Sequence, residues 1–390
     1  MRLARRVGLI QPSPTMAVMA EAMRLRAAGE DIVDFSAGQP DFATPEHIKD
    51  EGIQAIAGNF TRYTANSGTP ELRKAIADRY RQDYGLEFEP SGVLVTSGGK
   101  HALLNLILAI VDEGDEVIIP TPYWSTFPEQ VRLAGGEPAF AMTSEADGFR
   151  TTAKAIRPAL SDKTRVLLLN FPSNPTGAVI DRKELEALGD LVEGRDIFFI
   201  WDDTYARLMF EPAPGGAFAT LQRRLGERFV VAGTASKAYA MTGWRLGWAL
   251  GPPDLIAGCD ALQSHMTSHP SSISQRAALA ALRSDQARLA EMVSEYRWRS
   301  ERLREGLLSI EGLTCAEPGG GFYLFPNVSR FVPRSQTATD LAGALLNEER
   351  VAVVPGLAFG CDGHWRVSFA TSRERIEEGI RRLQRFFRSR

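Results

Sequence analysis

The sequence has few cysteines and no pattern among them: its 3, Cys259, Cys315 and Cys361, lie far apart without a CxxC pair. A disulfide framework and a zinc knuckle are thereby excluded, and a reducing, cytoplasmic setting is expected. A long apolar run is also missing. The longest, Leu103 to Val111, is interrupted by Asn105 and is far shorter than the roughly 20 residues that span a bilayer. The amino end is basic at Arg2, Arg5 and Arg6, but Gln11, Pro12 and Pro14 break the apolar stretch that a signal peptide needs, so no export is expected. Nor is one charge in excess. Against 48 Asp and Glu stand 45 Lys and Arg, a net charge of −3, which offers no global basic field to nucleic acid or an anionic membrane. Any anion site must be local.

Common catalytic signatures are absent too. The spacing from Gly92 to Gly99-Lys100 is too long for a Walker loop, and His101 stands where Ser or Thr is required. No strand pattern leads into GxGxxG, and HExxH and GxSxG do not occur. Internal repeats and low-complexity tracts are likewise missing.

What is present is a globular composition over 390 residues, long enough for two lobes. Short apolar, β-branched runs alternate with segments of helical period, the sign of a mostly parallel sheet covered by helices. Expected strands are Val93–Thr96, Glu116–Pro120, Arg165–Asn170, Ile197–Asp202, Phe229–Gly233 and Leu246–Leu250. Leu103, Leu106, Ile107 and Ile110 make one helical stripe between the first two. From Ser274 to Leu308 the helical pattern runs almost without a breaker, which predicts a long helix carrying the chain into another lobe. The last segment keeps Ile376, Ile380, Leu383 and Phe387 on one face, and the first forty residues read as an arm and linker. The fold class is α/β.

Two segments could carry chemistry. After the strand ending at Thr96, Ser97-Gly98-Gly99-Lys100 opens a helix, and small residues there let backbone amides approach an anion. A plain tight turn would look the same. Gly233-Thr234-Ala235-Ser236-Lys237 ends another strand and is followed by Met241-Thr242-Gly243-Trp244-Arg245, with Arg245 eight residues after Lys237. A lysine beside another cation has its ammonium form disfavoured, as suits an amine nucleophile.

With these motifs the chain resembles a fold-type I, pyridoxal phosphate (PLP)-dependent aminotransferase of class I. The resemblance runs from Gly38 to Arg366 and implies a large domain with a seven-stranded, mostly parallel sheet plus a small α+β domain. Domains are expected at 46–284 (PLP-binding) and 285–390 (small), with 1–45 an arm and part of the small domain. Lys237 would be the Schiff-base lysine, and Arg245, Thr234 and Ser236 would hold the phosphate beside Gly98, Gly99 and Lys100. Asn170-Phe171-Pro172-Ser173-Asn174-Pro175-Thr176-Gly177 resembles the NPTG turn, in which Asn174 donates to the cofactor's phenolic oxygen. Trp201-Asp202-Asp203-Thr204-Tyr205 resembles the DExY element, with Asp203 replacing glutamate; Asp202 would pair with the pyridinium nitrogen and Tyr205 with the phenolic oxygen. Trp124, in Pro122-Tyr123-Trp124, would stack on the ring. Tyr63, in Arg62-Tyr63-Thr64, would reach the phosphate of a neighbouring subunit, making a homodimer with shared sites.

In Trp365-Arg366-Val367-Ser368-Phe369, Arg366 resembles the arginine that clamps the substrate α-carboxylate, helped by Gly38, Asn174 and Trp124. Gln11-Pro12-Ser13-Pro14-Thr15, Ser97-Gly98-Gly99-Lys100, Leu262-Gln263-Ser264-His265 and Ser268-His269-Pro270-Ser271-Ser272 are most similar to a bacterial aspartate/prephenate aminotransferase branch, in which Lys100 would approach a distal carboxylate. Ser13 and Thr15 would help close a segment over the substrate. The implied reaction is ping-pong transfer of an amino group from an L-amino acid, aspartate first, to 2-oxoglutarate. Alanine, aromatic amino acids or prephenate as substrates, a PLP-dependent β-eliminating lyase, and a non-catalytic regulatory domain are the alternatives.

Overall fold

The computed structural model describes residues 2–10, 14–211, 215–388 and 390. Ser13 and the side chain of Thr15, expected to help close a segment over the substrate, lie outside them.

Runs of β-branched and apolar residues become strands buried on both faces, as a sheet covered by helices requires. In chain order the strands are β1 (Val33–Asp34), β2 (Val93–Thr96), β3 (Glu116–Thr121), β4 (Glu137–Met142), β5 (Thr164–Asn170) and β6 (Phe198–Asp202). They continue with β7 (Phe229–Thr234), β8 (Gly247–Leu250), β9 (Tyr323–Leu324), β10 (Val351–Ala352), β11 (Val354–Pro355) and β12 (Trp365–Ser368). Strands β2 to β8 form one seven-stranded sheet in the order β2-β8-β7-β6-β5-β3-β4. Only β8 runs against its neighbours.

Register sets up the site. Asn170 pairs with Asp202, Asp202 with Ala232, and both Thr96 and Thr234 with Gly247. The carboxyl ends of β2, β5, β6 and β7 therefore share one edge, where open α/β sheets bind ligands. Gly247 has no room for a side chain at that edge: a Cβ there would stand 2.4 Å from the Gly99 backbone nitrogen.

A second core joins Val33 and Phe35 to residues from Met292 to Phe387. Its sheets are β11-β12-β9 and the parallel pair β1-β10. The amphipathic carboxyl-terminal helix, Arg373–Arg388, buries Ile376, Ile380, Leu383 and Phe387 as the pattern requires.

Three expectations need correction. The uninterrupted helix from Ser274 is two helices, Ser272–Arg283 and Ala287–Leu308. Between them Gln286 adopts the left-handed conformation, φ 65°, and its amide donates to Ala281 O at 3.0 Å and Ser284 O at 2.7 Å. Polar Ser-Asp-Gln side chains thus bond backbone that a helix would have used. The amino-terminal stretch is not only arm and linker, because Pro14–Ala27 is a helix; Ala22 packs with Ile32, Leu346 and Ala352. Strand β4 was not expected. It is an edge strand, half exposed, whose Glu-Pro-Ala-Phe-Ala-Met sequence has no β-branched residue.

Candidate active site

The shared strand edge opens on a cavity of about 430 Å³ walled by both cores. Of the expected site residues, Gly38, Gly99, Lys100, Trp124, Asn174, Asp202, Tyr205, Thr234, Ser236, Lys237, Arg245 and Arg366 line it. Gly98 lies against it through Arg245. Tyr63 does not belong to the cavity of a single chain: it is 93% exposed, its ring edge-on to His269.

Lys237 leaves the end of β7 and donates from Nζ to the Gly38 carbonyl at 2.7 Å. Burial, then the charges of Arg366 and Arg245, push its ammonium down to about 8. Burial and Arg366 thus outweigh the cation eight residues along, from which the sequence argument started. Asp202, 2% exposed, accepts from Thr204 N at 3.1 Å and Thr204 Oγ1 at 2.6 Å, both at Oδ1. Desolvation raises its carboxyl to about 6, against the pull of those bonds and of Lys237. Asp203 lies behind, buried, and accepts from the Tyr80 hydroxyl.

Asn170 Oδ1 accepts from the Asn174 backbone at 2.9 Å, and its Nδ2 donates to Asp202 O at 3.2 Å, tying the ends of β5 and β6 together. Asn174 Oδ1 in turn accepts from Arg366 Nη1 at 3.0 Å, while Arg366 Nη2 donates to Ser36 O at 3.1 Å. Arg366 is 2% exposed and its Nε has no partner. A buried guanidinium with a donor to spare is arranged for an acceptor that enters from outside the chain.

At the other end of the cavity the helix Gly99–Ile110 starts without a side-chain cap. Its free amides and dipole favour an anion. Thr234 Oγ1 and Ser236 Oγ lie 2.8 Å apart beside it. Arg245, held in the left-handed region at φ 52°, donates to Thr242 O at 2.8 Å. Lys100 extends over the Trp124 ring at 4.9 Å; burial and Arg245 lower its pKa.

Thr204, Asn170 and Tyr323 also line the cavity and were given no role from sequence. Thr204 sits two residues after Asp202, the spacing of a carboxylate-capped turn, and this was the available signal. Asn170 lay inside a quoted motif. Tyr323 follows the Gly-rich stretch Pro318-Gly319-Gly320-Gly321 and stands in no motif. No group of three or more His, Cys, Asp or Glu among the described residues could hold a metal, and none of their helices is long and apolar enough to cross a membrane.

Residues 30–383 match the family model for aminotransferases of class I and II. The chain belongs to this family. The enzyme is a PLP-dependent transaminase of fold type I. It is 41% identical to an aspartate aminotransferase of Bacillus subtilis, over 99% of each chain. To an aspartate/prephenate aminotransferase of Nitrosomonas europaea it is 42% identical, over 98% of this chain and 99% of that one. The solved aspartate aminotransferase of Thermus thermophilus with maleate superposes with a TM-score of 0.94 at 40% identity, covering 99% of this aminotransferase and 100% of that chain.

The cavity fits PLP on its own chemistry. An uncapped helix start with Arg245 and two hydroxyls suits a phosphate, and a desolvated Asp202 whose bonds all go to one oxygen suits a cationic ring nitrogen. The cradle is tight. A Cβ at Gly98, where φ is 93°, would lie 2.5 Å from Arg245 Nη2. Gly98→Ala in this aminotransferase is therefore expected to weaken PLP binding by about tenfold or more, through backbone strain and a displaced guanidinium. Spectroscopic titration of cofactor-free protein with PLP measures it.

Proposed function

We propose that the enzyme transfers the amino group of L-aspartate to 2-oxoglutarate, one substrate at a time. The observation that carries this is the placement of two cationic side chains on one cavity: Arg366, buried with an unpartnered donor, and Lys100, on the helix start. A dicarboxylic amino acid is the substrate that uses both, its α-carboxylate on Arg366 and its distal carboxylate toward Lys100.

When bound, PLP supplies an electron sink for the substrate's Cα–H bond electrons. Lys237 would hold the cofactor covalently between turnovers and, when its amine is free, would be the base for the substrate Cα proton. In the cofactor-free site burial and the neighbouring Arg366 and Arg245 already lower its pKa to about 8, which favours the neutral amine a base needs. Asp202, ionised by a cationic partner, keeps that partner's proton in place. Asn174 and Tyr205 would bond the phenolic oxygen, and Arg245 with Thr234 and Ser236 would hold the phosphate. Trp124, which lines the cavity, would cover the ring face and exclude water.

The working unit is a homodimer in the cytoplasm. Tyr63 with Ile53 and Ile56, all strongly exposed, supports a subunit contact, and three free thiols support a reducing compartment. Residues 46–284 form the cofactor-binding domain, and the flanks form the small one.

L-Aspartate added to the PLP-loaded enzyme is expected to convert its visible absorption to the near-ultraviolet band of the aminated cofactor, and 2-oxoglutarate to restore it. If alanine or phenylalanine does this and aspartate does not, the substrate is wrong. If pyruvate accumulates without 2-oxoglutarate, the reaction is elimination.

A further inference from the structure

Tyr323 joins two parts of the site that have been treated separately. It stands on β9, next to β12, which carries Arg366. The Arg366 guanidinium lies 4.4 Å over its ring, and its hydroxyl is 3.1 Å from that of Tyr205. Its ring is buried, and its hydroxyl also faces Gly38, the residue whose carbonyl accepts from Lys237.

Two hydroxyls share one hydrogen bond, so one proton is left for an acceptor in the cavity that both tyrosines line. The cation over the Tyr323 ring makes its hydroxyl the better donor of the pair. Tyr205 is then the acceptor, and its own proton points to the cavity. A donor polarised in this way donates more strongly in turn.

We propose that Tyr323 is a positioning residue with two separable parts. Its ring holds the Arg366 plane for the substrate carboxylate, and its hydroxyl strengthens the Tyr205 donor that serves the cofactor's phenolic oxygen. This rests on the roles given above to Arg366 and Tyr205.

Two variants of the PLP-loaded enzyme separate these parts. Tyr323→Phe keeps the ring and removes the hydroxyl. A weaker Tyr205 donor leaves the phenolic oxygen less able to hold negative charge, so the pH midpoint of the cofactor's visible absorption rises by a few tenths of a unit. Maleate, a dicarboxylate without an amino group, binds this variant within about twofold of wild type, since the guanidinium still has its ring. Tyr323→Leu removes the ring as well, and maleate affinity falls by about tenfold, with KM for aspartate rising in parallel.

An unchanged midpoint in Tyr323→Phe overturns the hydroxyl's role. Wild-type maleate affinity in Tyr323→Leu overturns the ring's. A residue that only fills space would lower the melting temperature and leave both readouts at wild-type values, which overturns the whole inference. If Tyr323→Leu does not fold, Tyr323→Phe decides by whether its midpoint moves while maleate affinity holds. Absence of visible absorption in the wild-type enzyme with PLP instead removes the proposed function, and this inference with it.

Discussion

Lys237→Ala is expected to abolish turnover, a fall on the order of 10⁴-fold or more, because both the covalent attachment and the proton-moving base are lost in one change. The spectrum should separate these from misfolding. Wild-type enzyme with PLP carries a visible band that survives gel filtration, whereas the alanine variant releases the cofactor or holds it with the spectrum of the free aldehyde. A variant that keeps the wild-type band and turns over aspartate would assign the chemistry to another residue.

The same lysine makes a stability prediction whose sign follows from its pKa. In the cofactor-free protein the folded ammonium titrates near 8, against an ordinary 10.5. Between those values the unfolded chain binds more protons, so stability contributed at this site rises with pH through the window; below about 8 the cost of burying the cation is fully present. Lys237→Met, which removes the charge and keeps most of the volume, should therefore stabilise the cofactor-free protein at pH 7 by on the order of 3 kcal/mol. The gain should vanish toward pH 10.5. Urea unfolding at pH 7 and above pH 10 measures it; an equal gain at both would mean that packing, not charge, is responsible.

Asp202→Asn carries the second large effect. It retains size and removes the charge that keeps a ring proton in place, so the deamination half-reaction should slow on the order of 10³-fold. Lys237 is untouched, so the visible band remains. Stopped-flow mixing with aspartate measures the rate, and near-wild-type speed would show that the strand-end carboxylate is a turn former and no more. Thr204, which donates twice to Asp202, remains available to hold the amide oxygen of the variant.

How much of this could be read from the chain depended on whether local pattern matched local environment. Six strands of the large sheet were legible because strands covered on both faces are short, nearly continuous apolar runs, β-branched in Val93–Thr96 and Phe229–Thr234 and apolar without branching in Gly247–Leu250. The seventh, Glu137–Met142, is an edge strand partly open to solvent and needs no such residues. The break at Ser284-Asp285-Gln286 was invisible to periodicity, because it is made by side-chain bonds to backbone carbonyls and not by Gly or Pro. In the site, Lys237, Asp202 and Arg245 stood in contiguous motifs. Arg366 was found through family resemblance alone, since its partners Ser36 and Asn174 are distant in sequence and no spacing could join them. Tyr323 had no signal of either kind.

The hydrogen bonds of the cavity also fasten the two halves of the molecule. Arg366 belongs to the core built from the chain ends, yet it donates to Asn174 in the turn after β5; Lys237 follows β7 of the central sheet, yet it donates to Gly38 on the amino-terminal segment. Both are groups a substrate must engage. An arriving carboxylate thus competes for one rivet of the frame and cofactor attachment for the other, and occupancy is felt as a change in how tightly the halves are joined, with no separate sensor required.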